Sequence, residues 1–507
     1  MRLRVGQVVL AAAAVAGLAF GAGAQASAAI AASCDPMQTP PLFGGAVPTS
    51  EDVLGFALGS REVSAAEANA YVDAVDAASD RVVSGTFGAS WQGRGLRYAL
   101  VADPENVTPA GLAAVQEAIR KLRDPGTSAQ EAEQLARTTP VVLWLMGNVH
   151  GDEESGTDAE LRVLYELADR NDCAARQILD NAVVGIIPTQ NPDGREAETR
   201  QNFYGFDMNR DWFARTQVET DSKLELLRRY PGMLYVDAHE MGGNHYFFPP
   251  TADPTYHEIT SQSMFWQDFL YGDALAAEFT RQHIQFFTNK VFDFFAMVYG
   301  DSVPATAFGG AGMTFEKANF DPIEQRTYEH YVTQWVSLSQ GALNREDILR
   351  DWHSAWVEGL RQGLAGELEP NEVNDRGNEV QLPVPNEKVR HYFLRADDAS
   401  KAAEVQALVR RLQRMDVQVY RLTAPVTVPD FKPYGRPASA SVLPAGTYWI
   451  PMAQAQKHWI QAMLHEDSWI PFDVTYDVSA WSNPLLMNLN GGWSGEDVIA
   501  ALSLIHI

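Results

Sequence analysis

Cysteine is nearly absent from the sequence: Cys34 and Cys173 are the only two among 507 residues. That excludes a disulfide-dense scaffold and a structural zinc site made of thiolates. Basic residues are also scarce, with 39 Lys and Arg against 65 Asp and Glu and a formal charge of −26. A nucleic-acid partner is therefore not expected, because such binding needs a basic footprint that neutralises phosphates. No long run of one sign occurs, so the acidity reads as a solvated surface rather than a tail. Past the N-terminus no stretch approaches 18 uninterrupted apolar residues, which leaves no membrane span in the mature chain. Internal repeats are lacking too. What is present, 46% hydrophobic and 10% aromatic residues, suffices for a packed core and excludes wholesale disorder.

The N-terminus has its own logic. Arg2 and Arg4 precede an apolar stretch over 8–20, and small residues follow. This is the layout of a secretory signal peptide, with cleavage expected after Ala26 in Ala24-Gln25-Ala26. The stretch is too short and too rich in Ala and Gly for a membrane anchor. Residues 1–26 are thus expected to be removed, 27–47 to form an N-terminal segment, and the protein to be secreted. Export makes a disulfide between Cys34 and Cys173 possible. The alternative, a lipid on Cys34, is disfavoured by Ala31-Ala32-Ser33, which lacks the usual leucine.

From residue 48 to about 350 strand-like and helix-like patterns alternate. The continuous apolar runs 141–146, 182–187 and 233–236 read as buried strands, and 109–122 and 157–167 as amphipathic helices. The expected fold class is α/β: a mixed, largely parallel sheet covered by helices on both faces. The aromatic-rich stretch 284–299 predicts a buried helix. Residues 351–387 read as a helix and linker, and 388–507 as a second α/β domain with strands at 391–394 and 417–420 around a helix at 400–415. That domain shows few strands. Its last residues, Leu502-Ser503-Leu504-Ile505-His506-Ile507, resemble the translation of a sequencing-adapter end, so the natural chain is expected to continue past Ala501.

Chemistry concentrates at strand ends. Asn148-Val149-His150-Gly151-Asp152-Glu153 follows a buried strand, and Gly151 permits the turn that lets His150 and Glu153 meet one metal. In Tyr235-Val236-Asp237-Ala238-His239-Glu240, His239 closes another strand on the same sheet edge. Two histidines and one glutamate are the donor set of a catalytic zinc site with a position left for water. Asp237 or Glu240 could orient the free ring nitrogens. Between them lie the turn Asn191-Pro192-Asp193-Gly194, then Arg200 and Asn209-Arg210, arginines suited to grip a carboxylate. Thr314-Phe315-Glu316 places a glutamate at the end of a further strand.

In this order the set resembles the zinc metallocarboxypeptidases of the carboxypeptidase A/B type, over roughly residues 48–349. The segment 242–250 is similar to a branch of large exported bacterial proteins. The resemblance implies one Zn²⁺ ion on His150, Glu153 and His239, Glu316 as general base, and Arg200 as the oxyanion arginine. It implies that Asn209 and Arg210 grip the C-terminal carboxylate of a peptide or protein substrate. The substrate-binding tyrosine of the family has no matching motif here, and Tyr299 is a candidate; Glu329 is second in line as the base. His245 and His257 read as pocket or surface histidines. Two rival functions share the fold: a zinc amidase acting on cell-wall peptides or acylated amino acids, and an inactive binding module.

Overall fold

A computed structural model describes residues 34–249, 259–288, 299–300, 302–369, 387–466 and 482–496, and the backbone of 504–506. The expected signal peptide, His257, residues 289–298 and most of the linker lie outside the described residues.

The eight-stranded main sheet contains β1 (Val82–Ala89), β2 (Gly95–Val101), β3 (Val141–Gly147), β4 (Ala182–Ile187), β5 (Leu234–Met241), β6 (Tyr246–Phe247), β7 (Phe286–Phe287) and β8 (Ala311–Ala318). Their order is β1-β2-β4-β3-β5-β8-β6-β7. Strands β4, β3, β5 and β8 run parallel, whereas β2 on β4, β1 on β2 and β6 on β8 pair antiparallel. The parallel centre explains the unbroken apolar runs: every residue of β3 and β4 is buried, because helices cover both faces. Leu143 packs toward Gly341 of the helix Ile323–Leu343. On the opposite face Trp144 donates its Nε1–H to the Tyr230 carbonyl at 2.9 Å, and Tyr235 stacks on Phe308 of the helix Ser302–Phe308. Burying each large apolar side chain of this layer stabilises the fold by roughly 1.5–3 kcal/mol.

Cys34 and Cys173 are joined, tying the N-terminal segment to the start of the helix Cys173–Asn181. Within the stretch 284–299, expected as a helix, the described residues 284–288 differ from that expectation. The helix Asp273–Gln282 stops at His283, whose φ of 59° is left-handed, and Phe286–Phe287 then pairs as a strand with Tyr246–Phe247. Aromatic spacing mimicked a helix because both faces of this edge meet apolar neighbours.

The boundary expected at 350/351 falls inside the helix Arg345–Ala365. Beyond it a second, six-stranded sheet forms from β9 (His391–Leu394), β10 (Tyr420–Leu422), β12 (Lys432–Pro433), β14 (Tyr448–Pro451), β15 (Gly491–Ser494) and β16 (Leu504–His506). A two-stranded ladder, β11 (Val426–Val428) with β13 (Ser441–Leu443), lies outside it. All six strands pair antiparallel, in the order β12-β15-β9-β14-β10-β16. The strand expected at 417–420 begins only at Tyr420, because Asp416 takes φ 64° and turns the chain first. The helix Ala402–Gln413 contributes Val405, Leu408 and Leu412 to a core continuous with the main sheet. Among the described residues no helix is long and apolar enough to cross a membrane.

Candidate active site

Strands β3 and β5 are parallel neighbours with Gly147 opposite Ala238, so the residues after β3 and the end of β5 leave the sheet at one edge. At the carboxyl ends of parallel strands ligands find a crevice. The chain leaves β3 through Asn148, whose φ is 59°. Its side-chain amide donates to the carbonyls of His150 and Glu153 at 2.8 and 3.0 Å, folding 148–153 into a compact loop. Asparagine tolerates that left-handed conformation better than most residues. The turn therefore belongs to Asn148, not to Gly151. Gly151 is required for a different reason: a Cβ there would collide with the Gly194 backbone. Residues 191–194, expected as a turn, open the short helix Pro192–Ala197, with Asn191 capping the Gly194 N–H at 3.0 Å.

The loop and β5 bring His150, Glu153 and His239 together, all three buried. Glu153 Oε1 lies 2.7 Å from His150 Nδ1, and Oε2 lies 2.9 Å from His239 Nδ1. The two Nδ1 atoms are 3.2 Å apart, and the three donor atoms fall within 4.8 Å of one another. Imidazole nitrogens facing each other over a buried carboxylate call for a cation between them, and this neutral-plus-anionic set fits zinc. Burial pushes the Glu153 carboxyl up, but the two imidazoles outweigh it and hold its pKa well below the usual range.

Each of the two imidazoles has a carboxylate behind it. Asp207 Oδ1 meets His150 Nε2 at 3.1 Å, and Asp237 Oδ2 meets His239 Nε2 at 2.9 Å, which fixes each ring so that Nδ1 faces the centre. Of the two residues expected behind the rings, Glu240 is not used. It accepts from the Ser155 N–H at 3.0 Å and pairs with Arg326. Asp207 was missed, although its place two residues before Asn209 was a signal. Behind Asp237 runs a buried chain with no local signal. Gln190 Nε2 donates to Asp237 Oδ1 at 3.0 Å, and Lys223 Nζ donates to Gln190 Oε1 at 2.5 Å while lying 3.6 Å above the Trp212 ring. Burial pulls the Lys223 pKa down to about 7, against the pull of Asp237 and Asp211.

Arg200 is half-exposed and joins the centre directly, with Nε 2.9 Å from Asp207 and Nη1 3.4 Å from Glu153. Asn209 sits in a one-turn 3₁₀ helix, Met208–Arg210, capped by Asp207. Its Oδ1 accepts the Gly300 N–H at 2.9 Å and its Nδ2 is 3.2 Å from His239 Nε2. The guanidinium of Arg210 lies 4.5 Å over the Tyr299 ring. Tyr299 itself is buried, so it acts as the platform under Arg210 rather than as an exposed contact. Glu316 pairs in register with His239 across β5 and β8, which puts both side chains on one face of the sheet. Its charge is felt by Arg200. Glu329 is elsewhere, 2.8 Å from Lys317 Nζ, and His245 is exposed.

Residues 68–248 match the family model described as zinc carboxypeptidase. The matched span holds His150, Glu153, Arg200, Asn209, Arg210 and His239 and ends before Glu316. Carboxypeptidase 2 of Trichophyton tonsurans is 33% identical over 107 residues, which cover 21% of this chain and 20% of that protein. The chain thus aligns with about a fifth of the length of this curated relative. Among solved structures, a metallo-carboxypeptidase from Pseudomonas aeruginosa is 16% identical with a TM-score of 0.42, covering 57% of this chain and 70% of that one. Carboxypeptidase A from Helicoverpa armigera is 15% identical with a TM-score of 0.42, covering 63% and 80%.

Proposed function

We propose that the chain is an exported, zinc-dependent carboxypeptidase of the large bacterial kind, secreted to cut the last peptide bond of peptides or proteins that carry a free terminal carboxylate. The observation that carries this reading is the convergence of the buried His150–Glu153–His239 cluster with Arg200, beside an Arg210 whose guanidinium lies over the Tyr299 ring.

A single zinc ion on Nδ1 of His150, Nδ1 of His239 and the Glu153 carboxylate would supply a Lewis acid and a water made nucleophilic at neutral pH. The protein's own groups do the rest. Arg210 and Asn209 take the substrate's terminal carboxylate, the guanidinium fork matching its two oxygens, and so decide which bond lies over the centre. Arg200 donates to the scissile carbonyl oxygen as negative charge grows on it. Glu316 accepts the proton of the attacking water and returns it to the nitrogen of the departing amino acid.

The test compares peptides of one sequence with free and amidated C-termini, incubated with the zinc-loaded protein. Release of the terminal amino acid from the free form alone is expected. Equal hydrolysis of both forms would transfer the assignment to a zinc amidase, and cleavage of neither, with zinc bound, to an inactive binding module.

A further inference from the structure

The loop that links Arg200 to Asp207 carries Phe203, Tyr204 and Phe206, which are 52%, 59% and 49% exposed. Three large aromatics held in water cost free energy unless they meet something. They are also held firmly. Asn202 is buried beneath them, and its side-chain oxygen accepts the N–H groups of Tyr204 and Phe206 at 3.2 and 3.0 Å. Its amide donates to Gln217 Oε1 at 2.8 Å. The same Gln217 oxygen accepts from Trp91 Nε1 at 3.1 Å. Trp91 stands at the tip of the β1–β2 hairpin, and its ring meets Tyr204 edge-on at 4.9 Å. Tyr204 in turn meets Phe203 at 5.0 Å. Two loops distant in sequence thus present one contiguous aromatic surface, pinned from below by a shared buried glutamine.

The position of this surface gives it a role. Both ends of its loop are in the candidate site, Arg200 against Glu153 and Asp207 against His150. The residues assigned to the terminal carboxylate follow the loop's Asp207 end, where Asp207 caps the turn Met208–Arg210, Arg210 rests on Tyr299 and Asn209 holds Gly300. A peptide running from Arg210 across the zinc ligands toward Arg200 would carry its upstream residues onto the aromatic loop. The charge pattern agrees. In a chain of net charge −26, the segments 90–94 and 200–206 contain no acidic residue.

Resting on the carboxypeptidase reading above, we infer that Trp91, Phe203 and Tyr204 form an extended subsite for uncharged, apolar side chains of the substrate several residues before the cut bond. The enzyme then selects by two grips, one on the terminal carboxylate and one on upstream apolar residues. The zinc-loaded full chain is tested on peptides of fixed C-terminal residue whose upstream positions are Phe and Leu or, in the matched set, Ser and Gly. The wild type should favour the apolar set roughly tenfold, the preference residing in KM. In the Phe203→Ser/Tyr204→Ser double variant, and independently in Trp91→Ser, the ratio should collapse toward one. A ratio unchanged in both variants overturns the subsite. So does quenching of Trp91 fluorescence by N-acetylglucosamine oligomers, without any peptide preference in the wild type, since that would make the surface a carbohydrate platform. Failure of the parent reading looks different: no terminal residue would be released from either peptide set.

Discussion

Glu316 and Glu160 are two glutamates of one domain with opposite tasks. Glu316 shares a sheet face with His239, and its charge is felt by Arg200. On the proposed mechanism Glu316→Gln keeps the shape and removes the base, so the variant should bind zinc normally and lose turnover by roughly 10²–10⁴-fold. Metal content together with kcat checks it; full activity in the zinc-loaded variant would take the base role from Glu316. Glu160 is fully buried, with its carboxyl against Gly147. Burial first, then the negative charge of Asp237, raises its pKa well above the ordinary value of 4.5. A carboxyl whose pKa is raised on folding adds stability below its unfolded pKa and loses it as pH rises toward and through the folded value. Glu160→Gln removes that loss, so its benefit should be small near pH 5 and reach roughly 1–3 kcal/mol at pH 8. Urea unfolding at the two pH values decides; a variant destabilised at pH 8 would show that Glu160 is ionised and paired.

The helix Ser155–Asp169 connects the candidate site to the disulfide-bonded end of the fold. Its first turn adjoins Glu153, and Asp169 at its last turn accepts the Gly45 and Ala46 N–H groups at 2.9 and 3.1 Å. With about 1.5 Å of rise per residue the ends lie roughly 20 Å apart. The Cys34–Cys173 bond closes a separation of 139 residues at the far end, together with Asp172, which accepts from the Leu42 N–H. Replacing both cysteines by serine should lower unfolding free energy by roughly 2–5 kcal/mol, since the unfolded chain regains the closure entropy. Zinc affinity should hold, because the ligand loop is set by Asn148 and Gly151 at the opposite end. Denaturant titration and zinc competition on the same variant test both halves, and a large loss of zinc affinity would refute the separation.

Across the whole molecule the second sheet is not an appendage. Arg414 reaches Asp221 at 2.6 Å and Glu225 at 3.0 Å, and Asp416 pairs with Arg123 at 2.9 Å and Arg228 at 2.6 Å. Surface pairs of this kind contribute little each. The apolar contact beneath them matters more: Trp459 faces Phe213 at 6.2 Å, and Ile450, Leu408 and Met415 belong to the same core as β3 and β5. A protein with one continuous core should unfold in one transition. Calorimetry of the full chain is expected to show a single peak, and a chain ending at residue 365 to melt lower or aggregate. A truncated form with unchanged Tm would mean that the two sheets fold independently.

The central strands, the ligand loop after β3, the His239 strand end and the arginines could all be read from local pattern. A strand buried on both faces writes an unbroken apolar run, and a candidate metal ligand at its end is marked by residue type and spacing. Other features depended on pairings between distant segments, which leave no local periodicity. Among these are the antiparallel edges, the Phe286–Phe287 strand, and the second sheet with its mixed order. The same holds for details of the site. Sequence offered Asp237 and Glu240 alike as partners for the free ring nitrogens, and only the direction in which β5 presents alternate side chains sent one to the His239 imidazole and the other to Arg326. The Lys223–Gln190–Asp237 chain and the Trp91–Tyr204 surface join residues 33 to 113 positions apart. Chemistry-bearing residue types were therefore determined by the sequence, whereas which of them touch was decided by tertiary packing, because contact between remote segments is a property of the closed fold.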